Sequence, residues 1–70
     1  MIYISKKIVE LRKENNMTQA ELSKKLNVTY QAVSKWETGT SSPDFNTMVT
    51  LSKIFNVSLY YFIEEENNND

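Results

Sequence analysis

Apolar residues recur at helical intervals along the chain. Ile4, Ile8 and Leu11 stand at i, i+4 and i+7, which predicts an amphipathic helix from about Ser5 to Asn15. Asn16, a residue tolerant of left-handed backbone, ends it. Thr18-Gln19-Ala20-Glu21 has the Thr-x-x-Glu form of a capping box and opens a second helix, with Leu22 and Leu26 as its inner stripe and Asn27 as its stop. Thr29 is the natural N-cap of a third helix that turns Val33 and Trp36 inward and ends at Gly39. Thr40-Ser41-Ser42-Pro43 reads as a loop. Asp44 then caps a fourth helix whose apolar face is Met48, Leu51 and Phe55. Asn56 closes it, and Ser58 caps a short last helix from Leu59 to Ile63. No stretch alternates in the manner of a strand, and no segment repeats. The fold class expected is all-α, five short helices in one domain over residues 1–63.

Three residues, Asn27-Val28-Thr29, separate the second helix from the third. A connection that short forces two helices to cross steeply, the geometry of a helix-turn-helix. Ser23 is small where the two would approach most closely, Asn27 suits a left-handed turn position, and Val28, Val33 and Trp36 fill the wedge between them. Taken singly, each is ordinary core. Together, at fixed offsets, they are specific.

Composition narrows the chemistry. There is neither cysteine nor histidine, which excludes a disulfide framework, a zinc finger and histidine-based catalysis. A core of this size rarely supplies more than about 3–5 kcal/mol of stability, so close helix packing, a partner subunit or both must serve instead. The net charge of −1 is unevenly spread. Residues 1–63 hold eight bases against five acids, while Glu64 to Asp70 hold four acids and no base. That last stretch is poor in apolar residues and is expected to be a disordered acidic tail. The mild basic excess of the rest suits nucleic acid without demanding it. The N-terminal apolar run is too short for a signal peptide and nothing reaches membrane-spanning length, so a soluble cytoplasmic protein is expected. Nor is there room for a separate ligand-binding domain, and no cofactor, metal or small-molecule ligand is expected.

The pattern resembles the XRE, or Cro/repressor-like, helix-turn-helix family of phage and bacterial transcriptional regulators. The resemblance spans residues 4–63 and is carried by Leu11-Arg12, Met17-Thr18-Gln19-Ala20-Glu21-Leu22, Val28-Thr29, Val33-Ser34-Lys35-Trp36-Glu37, Gly39, Pro43 and Asn56-Val57-Ser58-Leu59. Asn16 and Asn27 stand where the family often has glycine, and Tyr60-Tyr61 where many members are polar. It implies a lambda-repressor-like fold and a sequence-specific DNA-binding regulator, more often a repressor than an activator.

With Val33 and Trp36 inward, the helical period sets Gln31, Lys35 and Thr38 on the opposite side, flanked by Tyr30 and Ser34. By itself this is a solvated helix face. The resemblance makes it the recognition surface, and its chemistry suits that role: Gln31 can pair bidentately with adenine, Lys35 can reach guanine or a phosphate, and Tyr30 can pack on a thymine methyl. Ser34 is short and adaptable. Gln19, at the positive end of the second helix, resembles the family's phosphate clamp. Thr29, Thr38, Thr40 and Ser41, with Ser42, are further candidate phosphate donors, or simply caps and turn formers. Arg12 resembles the family's first-helix arginine, which pairs with a glutamate at the end of the recognition helix, here Glu37; both are structural in this reading.

Glu10 and Glu14 share a helix face but have no accompanying base or nucleophile, so an enzyme is not expected. On the last helix, Leu59 and Phe62 point inward and leave Tyr60, Tyr61 and Ile63 as a candidate exposed patch, unless the tail or the first helix covers them. The family often dimerises there. The partners implied are therefore double-stranded DNA carrying an inverted repeat and, at least on DNA, a second copy of the chain. The competing reading is a protein-interaction module, such as an antitoxin-like partner or an anti-repressor.

Overall fold

The computed structural model describes the backbone of residues 2–63 and the side chains of residues 4–63. The expected acidic tail lies outside the described residues, and so does Met1. Five helices follow one another: α1 (Ile2–Glu14), α2 (Gln19–Leu26), α3 (Tyr30–Thr38), α4 (Phe45–Phe55) and α5 (Tyr60–Ile63). Among the described residues there is no strand, and no helix is long and apolar enough to cross a membrane. The first helix begins three residues earlier than the Ser5 expected from periodicity. Helix α5 starts at Tyr60, one residue after the expected Leu59, a difference within the usual fraying of helix ends.

The caps follow from side-chain chemistry. Thr18 Oγ1 accepts from Glu21 N–H at 3.0 Å, and Glu21 Oε1 accepts from Thr18 N–H at 2.8 Å, completing the capping box. Thr29 Oγ1 accepts from Ala32 N–H at 3.1 Å and Asp44 Oδ1 from Thr47 N–H at 2.8 Å. Each of the first four helices then ends on a residue with positive φ: Asn16 (56°), Asn27 (59°), Gly39 (81°) and Asn56 (57°). The next amide in each case reaches back five residues to a carbonyl: Met17 to Arg12, Val28 to Ser23, Thr40 to Lys35 and Val57 to Ser52, at 2.9–3.0 Å. This is the Schellman closure, which satisfies carbonyls that a helix end would otherwise leave bare. In three of the four the reaching residue is apolar and packs against the core. In α3 it is Thr40, which stays exposed.

One apolar cluster holds the helices together. Ile8, Leu22, Val33, Leu51 and Phe62 are fully buried, with Leu11, Trp36, Met48 and Phe55 nearly so. Helix α3 packs against both α2 and α1, α2 touches α4, and α5 folds back onto α1. Ser23 is buried at the α2–α3 crossing, and its hydroxyl donates to Ala20 O at 2.7 Å, so no polar group is stranded there.

Candidate nucleic-acid interface

Helix α3 is held from behind. Val33 and Trp36 anchor it in the core, which turns Tyr30, Gln31, Lys35 and Thr38 outward as exposed side chains, with Ser34 half-buried beside them. Tyr30, 53% exposed, also overhangs an open groove of about 580 Å³ formed with Arg12, Lys13 and the start of α2.

A partly buried ion pair ties the far end of this helix to the rest. Arg12 Nε donates to Glu37 Oε2 at 2.6 Å and Nη2 to Oε1 at 3.0 Å, the two-pronged geometry that suits a guanidinium. The side chains are only 13% and 6% exposed. Nη1 of the same arginine donates to Met17 O at 2.9 Å, gripping the α1–α2 turn. The hydrogen bonds to Glu37 raise the Arg12 pKa above its already high ordinary value.

Gln19, expected to face a phosphate, turns its side chain inward. Nε2 donates to Glu37 Oε1 at 2.8 Å, and the residue is half-buried. Its backbone N–H, in the first turn of α2, remains one of the donors that a helix cannot satisfy internally. Spacing along the chain holds no trace of this bond, because it joins residues 18 apart through the crossing of two helices.

The hydroxyl candidates differ in what they can offer. Thr29 spends a lone pair on its capping bond and keeps its proton to donate outward. Thr38 donates to Lys35 O at 3.2 Å, and its oxygen lies 2.9 Å from that of Thr40. Either hydroxyl could be the donor between them, so at most one of the two protons is available to a phosphate without rotation. Ser41 and Ser42 are exposed, followed by a buried Pro43. Phe45, next to this loop in the first turn of α4, is 65% exposed, an apolar surface that the helical pattern did not single out.

The α5 patch needs a correction. Tyr60 and Ile63 are 62% and 56% exposed, but Tyr61 is half-buried against the core. The Lys7 ammonium sits 4.7 Å from the centre of its ring and donates to its carbonyl at 2.6 Å. Helix α1 thus covers Tyr61, leaving two large apolar side chains on the surface rather than three. Burial raises the Tyr61 phenol pKa, with a further push from the nearby carboxylates Glu10 and Glu14.

A helix-turn-helix family model matches residues 8–62. The chain belongs to the XRE-type helix-turn-helix family. It is 34% identical over 64 residues to the HTH-type transcriptional regulator YqaE of Bacillus subtilis, covering 91% of this chain and 55% of YqaE. It is 36% identical over 55 residues to the HTH-type transcriptional activator BcrR of Enterococcus faecalis, covering 79% of this chain and 27% of BcrR. With ImmR, an HTH-type transcriptional regulator of Bacillus subtilis, it shares 32% identity over 63 residues, 90% of this chain and 50% of that protein. It therefore spans about half the length of most of these relatives, and less of BcrR. A transcriptional regulator from Listeria innocua has the same fold, with a TM-score of 0.81 at 22% identity over 94% of this chain and 64% of that one.

Proposed function

We propose that this XRE-type domain binds double-stranded DNA in a sequence-specific manner, inserts α3 into the major groove and thereby regulates transcription. The observation that carries the reading is the outward face of α3: Tyr30, Gln31 and Lys35 project from a short helix whose other side is locked by Val33, Trp36 and the Arg12–Glu37 pair. Groups that read base edges must be held rigidly, and this helix is anchored along its inner face and at its last turn. In the proposal, Gln31 pairs with adenine, Lys35 with guanine or a phosphate, and Tyr30 and Ser34 fill the groove beside them. The Gln19 backbone amide, Thr29, Ser41, and Thr40 with Thr38 approach the sugar-phosphate strand, fixing register without reading sequence. Such a regulator works in the cytoplasm, alongside its DNA.

Two copies, meeting through α5, would place two such helices on an inverted repeat. The sign of regulation is a separate matter. BcrR is named an activator, and this chain aligns with about a quarter of its length.

Selection of bound duplexes from a random pool tests the reading, followed by titration of the winning site at several salt concentrations. A specific binder shows a steep salt dependence and prefers the selected site by about 10³-fold or more over random duplex. Weak, sequence-blind binding would favour the second reading, a protein-interaction module, for which the exposed Tyr60 and Ile63 are the supporting feature.

A further inference from the structure

We infer that Gln19 is a positioning residue: its side chain transmits the placement of the phosphate-facing start of α2 to the base-reading helix α3, through Glu37. The inference rests on the DNA-binding reading above and adds a role inside it. Two side chains, one from α1 and one from α2, converge on one carboxylate of α3. Glu37 Oε2 takes Arg12 Nε at 2.6 Å, while Oε1 takes both Arg12 Nη2 at 3.0 Å and Gln19 Nε2 at 2.8 Å. The same arginine holds the Met17 carbonyl at 2.9 Å, so the α1–α2 turn is part of the cluster. Glu37 is the next-to-last residue of α3 and its side chain is 6% exposed, so a donor lost here is not readily replaced by water.

The chemistry gives Gln19 two separate faces. Its backbone N–H opens α2 and points out of the helix, where a phosphate oxygen can lie. Its carboxamide must face Glu37 with nitrogen rather than oxygen, because an amide oxygen against a carboxylate would be repelled. Backbone clamp and recognition helix are thus joined through a single side chain. Removing the donor while keeping the length should leave the phosphate contact intact and loosen the last turn of α3.

Gln19→Met in the full chain does this, and two measurements read the result. Hydrogen exchange of the free protein should show the amides of Trp36, Glu37, Thr38 and Gly39 exchanging about ten-fold faster while those of α4 hold their rates, since a hydrogen bond to a charged group is worth roughly a factor of ten or more. Gln19→Lys, whose ammonium can donate to Glu37, should restore the protection. On DNA, Gln19→Met should weaken binding to the selected duplex about ten-fold, with random-duplex affinity within about two-fold and the salt slope unchanged. Equal losses on both duplexes with a slope smaller by about one would show the side chain on a phosphate and overturn the inference. So would unchanged exchange, or unchanged discrimination in a chain that does discriminate. If the wild type discriminates no duplex at all, it is the DNA-binding reading that fails, and the exchange comparison still decides the coupling.

Discussion

At the scale of single residues, the proposed interface divides into side chains assigned to DNA contact and side chains that hold others still. Gln31 is exposed and belongs to the first group. Gln31→Ala should lower affinity for the selected site by about 1–3 kcal/mol, the value of one bidentate base contact, and leave random-duplex binding where it was; competitive titration against both duplexes checks it. Arg12 belongs to the second group. Its removal leaves the Glu37 carboxylate, 6% exposed, with the Gln19 donor but no counter-charge, and breaking a fully buried pair from one side costs about 3–5 kcal/mol, an upper bound for this partly buried one. In a domain this small, that approaches the whole stability. Arg12→Ala should therefore unfold well below the wild type in a urea titration, and Arg12→Lys, which keeps the charge but loses the fork, should fall between them. How much of this was legible in the sequence depends on the kind of contact. The outward set on α3 followed from the helical period alone, and the Arg12–Glu37 pair from family resemblance. The Gln19 bond to Glu37, the Thr38–Thr40 hydroxyl pair and the Lys7 cover on Tyr61 did not, because each depends on how helices cross or how a turn closes.

At the scale of the element, the helix ends carry most of the local information. The caps at Thr18, Thr29 and Asp44 and the stops at the three asparagines and Gly39 were all readable, since each rests on a property of one residue type. The start of α1 was not, because Ile2-Tyr3-Ile4 offers no capping side chain to mark where the helix begins. Thr29 allows capping and DNA contact to be separated. Thr29→Ala loses the oxygen that accepts from Ala32 and should cost roughly 0.5–2 kcal/mol. Thr29→Asp keeps the cap but places a negative charge at the start of the reading helix, so thermal stability should hold while DNA affinity falls. A melt paired with a binding titration distinguishes the two. Asp44 makes a pH prediction. The Thr47 N–H holds its carboxyl below the ordinary range, so its contribution to stability is fully present above about pH 4 and is lost as the pH falls through that lowered value. Asp44→Asn keeps an acceptor at the cap without the titration, and its melting temperature should fall less between pH 5 and pH 2 than that of the wild type.

At the scale of the whole molecule, the open issue is how many copies read one site. The core is a single cluster, and five short helices leave Tyr60 and Ile63 exposed on α5. Tyr61, between them, is a poor place to test the surface. Its ring lies beneath Lys7 and against the core, so a charge there would disturb the fold together with any contact. The informative change is Tyr60→Glu with Ile63→Glu, at positions whose side chains are mostly in solvent already. If two copies meet through α5, their recognition helices enter successive major grooves about 34–36 Å apart, on an inverted repeat with half-site centres about one helical turn apart. The double variant should melt close to the wild type. Its binding to the full repeat should fall sharply, while binding to a single half-site stays within about two-fold. Sedimentation should show two wild-type chains on the full repeat and one variant chain at the same concentration. A single wild-type chain on the full repeat, or equal losses on both duplexes, would mean that the domain reads DNA alone. The apolar end of α5 would then be available to a different protein.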